Sequence, residues 1–246
     1  MPNWVKNIIT AKAETINKIK EKYFKKDVLS FEKVIPMPKS LGLTSGSITN
    51  NSMFYAYLKK DAAQQEEIIK ILGENFDCLD RRYIRKFKEI GEDTIKRIEE
   101  YALKYIPSEE ERSLGIETFE QLGDTYINNI KEYGHATWYD WCVENWGTKW
   151  DACRVCYDET RIVFETAWSS PANILVEISK GLGNDEFELK FADEDFGSDN
   201  NGVVRFRNGN VIEQDLDKGE DFLTDVWFNS LTYEEKTPDI VDDMFE

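Results

Sequence analysis

Glu186-Phe187-Glu188-Leu189-Lys190-Phe191 alternates strictly, with Phe187, Leu189 and Phe191 on one side and Glu188 and Lys190 on the other. Successive side chains of a strand project to opposite faces. The hexapeptide therefore predicts a strand with one buried and one solvated face. Downstream, residues 203–206 and 210–214 flank Asn208-Gly209, a dipeptide suited to a two-residue hairpin. Upstream, residues 153–157 and 161–166 flank Asp158-Glu159-Thr160, a second hairpin. Between the hairpins, Ser170 as N-cap and Pro171 in the first turn begin a helix. Ile174, Leu175 and Ile178 face inward on it, and Gly181 ends it.

Moving outward, residues 138–146 read as a helix on which Trp138, Trp141, Cys142 and Asn145 share a face, with Gly147 as its stop. The N-terminus reads strand (3–9), helix (11–24, with Ile16, Ile19 and Tyr23 on one face) and strand (28–35, ended by Pro36-Met37-Pro38). Residues 39–51 have loop composition. Residues 52–132 carry only helical signals: helices over 52–72, 77–90 and 93–106, a capping box at Ser108 and Glu111, and a last helix to about 131. Hairpins mixed with helices imply an α+β protein, with a mostly antiparallel sheet covered by helices on one face. The expected domains are 1–40 with 133–215, a helical insertion at 50–132, and an acidic C-terminal segment at 216–246 with one helix over 222–228.

The chain has 246 residues, 41% of them apolar and 13% aromatic, enough for a real core. No run approaches the ~20 apolar residues of a membrane-spanning helix, and the N-terminus lacks a signal-peptide pattern. A cytoplasmic location, in a host cell's cytoplasm, is the expectation. The formal net charge of −17 is unevenly spread. Residues 1–133 hold 22 Lys+Arg and 22 Asp+Glu, whereas residues 134–246 hold 9 and 26. Such a field opposes binding of a phosphate backbone and favours a basic surface on a protein partner.

Of the four cysteines, Cys153 and Cys156 form a C-x-x-C on a predicted strand. Positions i and i+3 of a regular strand face opposite ways, so joint chelation is not expected, and the thiols read as buried and free. His135 is the one histidine, and no phosphate-binding glycine loop is present. No catalytic residue, metal or cofactor is assigned. The candidate binding residues are Trp138, Trp141, Trp146, Lys149 and Trp150, whose aromatic–cation mixture suits a partner surface as well as a core, and Asp193, Glu194 and Asp195, whose spacing fits no EF-hand. Lys18, Lys20, Lys22, Lys25 and Lys26 gather near the end of the first helix. They complement its dipole, or contact nucleic acid or the acidic half of a second copy.

Several phrases go further: Met1-Pro2-Asn3-Trp4-Val5-Lys6-Asn7, Val34-Ile35-Pro36-Met37-Pro38, Tyr133-Gly134, Trp138-Tyr139-Asp140-Trp141, Asn145-Trp146-Gly147-Thr148-Lys149-Trp150-Asp151, Thr166-Ala167-Trp168-Ser169-Ser170-Pro171 and Phe191-Ala192-Asp193-Glu194-Asp195. Together they resemble the YubB (Api-like) family of phage and plasmid proteins, over roughly residues 1–40 and 133–210. The resemblance implies a ferredoxin-like sheet and a mobile-element origin, and it implies no activity. The functional expectation is a non-enzymatic binding protein. It would inhibit a host nucleic-acid-handling or defence protein, such as a CRISPR or restriction effector, through an acidic surface that mimics nucleic acid. The alternatives are a nucleic-acid-binding accessory protein using the sheet and the basic first helix, and a metal-dependent hydrolase.

Overall fold

A computed structural model describes residues 3–75 and 91–231. The predicted helix over 77–90, Cys78 and the end of the chain beyond 231 lie outside them. The chain divides into two compact units, Met1–Pro36 with Cys142–Glu246, and Met37–Trp141.

The first unit is built on one six-stranded sheet. It contains β1 (Trp4–Thr10), α1 (Ala13–Tyr23), a two-residue ribbon of β2 (Phe24–Lys25) and β3 (Val28–Leu29), then β4 (Cys153–Tyr157) and β5 (Arg161–Ala167). A helix at Ala172–Leu182 follows, then β6 (Phe187–Asp193), β7 (Asn201–Arg207), β8 (Asn210–Leu216) and a last helix at Glu220–Phe228. The strand order is β4-β5-β1-β6-β7-β8, with every neighbouring pair antiparallel. Taken alone, β1, α1, β4, β5, the helix at Ala172–Leu182 and β6 form a β-α-β-β-α-β chain whose last strand lies beside the first. That is the ferredoxin-like arrangement. The β7–β8 hairpin extends it past β6, turning at Asn208 (φ 49) and Gly209 (φ 75).

β1 sits at the centre, and its register assigns the two faces. Val5, Asn7 and Ile9 lie beside Thr166, Phe164 and Ile162 of β5, and all six are fully buried. Ile16 and Ile19 of α1 and Ile174, Leu175 and Ile178 of the helix at Ala172–Leu182 are equally inaccessible. Asn7 Nδ2 donates to Thr166 Oγ1 and to Val5 O, both at 2.9 Å, while its buried Oδ1 has no hydrogen-bond partner. The other face is closed by the last helix. Its Leu223 and Val226 cluster with Ile8, Val163 and Ala192. This second cover is what the sequence reading missed: it left the region after 215 as an acidic segment with one isolated helix.

The strand expected over 28–35 is not formed. Lys26 and Asp27 both adopt positive φ (50 and 65) and reverse the chain, so only Val28 and Leu29 pair. A 3-10 turn at Phe31–Lys33 follows. It is fixed by Asp151, whose carboxylate accepts from Phe31 N at 2.7 Å, Ser30 Oγ at 3.1 Å and Ala152 N at 2.8 Å.

The second unit is helical: α2 (Ser47–Leu58), α3 (Ala62–Asn75), α4 (Glu92–Lys104), α5 (Glu109–Ser113) and α6 (Phe119–Tyr133). α7 (Trp138–Trp146) spans the division; the helices at Ala172–Leu182 and Glu220–Phe228 are α8 and α9. The single helix expected over 52–72 is two. The chain reopens at Asp61, whose Oδ1 accepts from Gln64 N while Gln64 Oε1 accepts from Asp61 N, a reciprocal cap. The loop expected over 39–51 already begins α2 at Ser47. Ser108 and Glu111 form the predicted capping box. Met53, Ile98, Leu122, Tyr126 and Ile130 make this unit's core. Gly123 lets α6 touch α2: a Cβ there would lie 2.0 Å from Ser52 O.

Candidate functional site

One end of the sheet gathers most of the unusual residues. β1 starts there at Trp4, β5 and β6 end there at Ala167 and Asp193, β7 starts at Asn201 and β8 ends at Leu216. Gly147 (φ 81) terminates α7 and delivers Lys149 and Trp150 to this end. Rings and cations alternate. Lys149 Nζ lies 4.9 Å from the Trp168 ring and 4.3 Å from the Trp150 ring. Trp150 meets Trp4 at 6.0 Å and 40°, and the Arg154 guanidinium lies 4.9 Å from the Trp4 ring. Arg154 also pairs with Glu165. Cation–π attraction of this kind contributes ~0.5–1 kcal/mol at exposed positions.

The acidic stretch joins the same end. Glu194 Oε1 accepts from Trp4 N at 3.0 Å, and Glu194 N donates to Trp4 O at 2.9 Å. Asp193 is buried. Its carboxylate accepts from Asp195 N at 2.9 Å and Asn200 Nδ2 at 3.0 Å. Asn200 Nδ2 also donates to Trp168 O at 2.9 Å. Asn201, 2% exposed, ties this loop to the next: its Nδ2 donates to Ser198 O, its Oδ1 accepts from Lys218 N at 2.6 Å, and its carbonyl accepts from Asp217 N. Two acidic loops, 193–199 and 215–221, therefore lie side by side. The second lines a cavity of about 590 Å³ bordered by Asp215, Asp217, Lys218, Glu220, Asp221 and Phe222.

Several acids of the sheet unit are matched by base, Asp215 of the second loop among them, by Lys218, whereas Glu14, Glu21, Asp27 and Glu159 elsewhere in the unit make no ion pair among the described residues. Arg205 pairs with Glu188 and Glu213, Arg207 with Glu186, Lys180 with Glu177, Arg161 with Asp158 and Lys18 with Asp185. Among the described residues, Asp195, Asp199, Asp217, Glu220 and Asp221 make no ion pair.

The candidates from sequence thus divide. Lys149 and Trp150 share this end with Asp193, Glu194 and Asp195, the connection running through Trp4, Trp168 and Asn200. Trp146 is core: its Nε1 donates to Ile35 O at 2.9 Å and its ring meets Phe31 edge-on. Trp141 is buried and Trp138 packs on Tyr139; both belong to the other unit. Trp4, Arg154 and Trp168 were not singled out. The signal available for Trp168 was its place just beyond a strand end, beside Ser169-Ser170-Pro171.

The thiols require a correction. Cys153 pairs with Glu165 and Cys156 with Val163, so an extra residue bulges out between them. Arg154 takes φ 47 in that bulge. The bulge restores both sulfurs to one face of the sheet; they do not oppose one another. Burial pushes Cys153 up to about 11 and raises Cys156 as well, which disfavours the thiolate that metals and electrophiles need. Among the described residues no group of three or more His, Cys, Asp or Glu is arranged to hold a metal ion. No described helix is long and apolar enough to cross a membrane.

The basic first helix is largely engaged. Lys18 Nζ bonds Asp185 at 2.7 Å, Lys22 Nζ donates to Gly181 O, and Lys20 Nζ lies 3.7 Å from the Tyr157 ring. On the sheet itself, Lys6 is 8% exposed. It donates to Trp227 O at 3.1 Å, and burial lowers its pKa.

Strand order and connectivity define a ferredoxin-like α+β domain, interrupted in sequence by helices and extended by a hairpin and a covering helix. Residues 145–238 match the family model described as the ferredoxin-like domain in Api92-like protein. A solved structure, a protein api92 from Yersinia pseudotuberculosis, is similar with 12% identity and a TM-score of 0.39, over 88% of this chain and 98% of that one. No curated protein matches the chain.

Proposed function

We propose that the chain is a non-enzymatic binding protein whose acidic sheet end occupies a basic groove on a protein partner, standing in for nucleic-acid phosphates. Given the resemblance to phage and plasmid proteins, the partner class is a nucleic-acid-handling or defence protein of the host. One observation carries this reading: the junction at Asn201 holds two loops together while Asp195, Asp199, Asp217, Glu220 and Asp221 remain outside ion pairs. Carboxylates held close together reinforce one another's local field.

The alternative use of the sheet as a nucleic-acid platform finds less support. Both faces of the central strands are covered, although β8 is exposed along its length, and the lysines of α1 are engaged within the chain. Affinity capture from host lysate at low salt and at 1 M salt tests the reading. A partner should be captured at low salt and released at 1 M, where the Debye length is ~3 Å. Capture unaffected by salt, or preferential capture of nucleic acid, would remove it.

A further inference from the structure

The six-stranded sheet has two edges, and they differ. β4 is interrupted by the bulge at Arg154, β3 contacts it, and Cys156 Sγ donates to Leu231 O beside it. β8 carries no such cover. All of its residues, Asn210–Leu216, are exposed, and among the described residues no strand pairs with its outer side. Val211, Ile212 and Leu216 are apolar side chains left at the surface. The strand contains neither the lysine nor the proline that blunts many sheet edges. Its one irregularity is the extra residue Ile212, and 213–216 pair regularly.

The register identifies which backbone groups are open. Asp217 N donates to Asn201 O at 3.2 Å. In an antiparallel pair, residues that exchange hydrogen bonds alternate with residues that do not. Asp215 and Glu213, opposite Val203 and Arg205, therefore turn their N–H and C=O groups towards β7. Gln214 and Leu216, opposite Val204 and Gly202, turn theirs outward. These outward groups form a template for one more strand. The side chains set its character. Glu213 and Asp215 alternate with Gln214 and Leu216, and beyond Leu216 the edge runs into the cavity bordered by Asp217, Glu220 and Asp221. Arg205 and Lys218 pair with Glu213 and Asp215, which leaves the edge and its end net negative. A second copy is a poor occupant. Antiparallel self-pairing through Gln214 or Leu216 sets Glu213 against Asp215, Asp215 against itself, or Asp215 against Asp217, and like charges directly opposite destabilise a pair.

We propose that β8 is a docking edge: an extended segment of a protein partner, with lysine or arginine alternating with apolar residues, adds to the sheet along Gln214 and Leu216. The backbone groups supply the contact, and the acids of β8 select a basic strand. Val211, Ile212 and Leu216 offer apolar surface to its remaining side chains. The sign of the partner's charge rests on the acidic-surface reading above; the strand geometry does not.

The test uses the full chain and fluorescein-labelled octapeptides in anisotropy titrations at low salt: alternating arginine–valine, the same peptide N-methylated at its four central residues, and alternating glutamate–valine. N-methylation removes backbone donors at constant charge. The arginine–valine peptide should bind at least tenfold tighter than either control. Gln214→Pro removes an outward donor at an edge position, where proline is tolerated. Its thermal midpoint should hold while its affinity for the arginine–valine peptide falls about tenfold. Amide exchange read by NMR adds a measurement on the wild type: Gln214 and Leu216 should exchange fast in the free protein and at least tenfold more slowly with the peptide. If Gln214→Pro fails to fold, the methylated peptide and the exchange rates decide. Equal binding of the methylated peptide, or unchanged exchange at Gln214 and Leu216, overturns the strand addition and leaves the acidic-surface reading standing. Equal binding of the glutamate–valine peptide overturns both. No binding of any octapeptide overturns the docking edge, while the salt dependence of lysate capture still tests the acidic surface. A dimer in sedimentation that Gln214→Pro abolishes gives the edge to a second copy and overturns the proposal.

Discussion

The two faces of the sheet are closed in different ways. On one, Val5, Ile9, Ile162 and Phe164 are sealed under two helices that belong to the β-α-β-β-α-β framework, and the strands contribute a bonded polar pair, Asn7 and Thr166. On the other, a nine-residue helix from outside that framework does the covering, and a buried lysine lies beneath it. The first face is what makes the domain fold. The second is an addition that covers the central strands and leaves β8 and the loops at the sheet end exposed.

Substitutions sharpen that contrast. Phe164→Ala should cost the most, ~3–5 kcal/mol, because a fully buried ring leaves a cavity in the framework core; chemical denaturation measures it, and a loss under 1 kcal/mol would show that the helix-covered face does not carry the fold. Leu223→Ala on the opposite face should cost ~2–3 kcal/mol, at the low end for a buried leucine, since α9 can settle into the gap. A loss as large as that of Phe164→Ala would make the two faces equivalent. Asn201→Ala leaves net charge unchanged but unlinks the acidic loops; ~1–3 kcal/mol is expected from its unmatched buried partners. Its partner capture should fall at constant charge, and unchanged capture would mean that total charge, not arrangement, matters.

The smallest effect concerns pH. Burial pushes the Asp151 carboxyl up to about 6, against three hydrogen bonds that favour the anion. An unfolded aspartate titrates near ~3.9. The folded state therefore holds the extra proton between those values, and stability falls as pH rises from about 4 to about 6, then levels. Asp151→Asn keeps an oxygen for Phe31 N and Ala152 N and should flatten that slope, which is on the order of 2 kcal/mol in total. Thermal midpoints of both proteins at pH 4 and pH 6.5 give the comparison; parallel shifts would place the titration elsewhere.

Much of the framework was legible because it rests on local rules. Strict alternation gave β6, Asn208-Gly209 gave the last hairpin, and Ser108 with Glu111 gave a helix start. What escaped depended on partners distant in sequence. The strand expected at 28–35 yields to Asp151, about 120 residues away, which captures Ser30 and Phe31. The facing of Cys153 and Cys156 turns on one bulged arginine that strand periodicity cannot anticipate. At the candidate site, a run of tryptophans looked like one surface. Helical spacing buries Trp141 and Trp146, and only the residues past Gly147 reach the sheet end. Trp168 gave no periodic signal because it lies just past the end of β5, at a positive φ.

The order of the strands along the chain has a consequence for synthesis. β1 is made first, yet its neighbours are residues 161–167 and 188–193. At roughly 5–20 residues per second it waits about 10–40 s on the ribosome before either exists. The helical unit between them is completed during that interval, from contacts close in sequence that form quickly. The Val-Lys-Asn-Ile-Ile segment must stay without its native partners throughout, so the nascent chain is open to wrong strand pairing at β1.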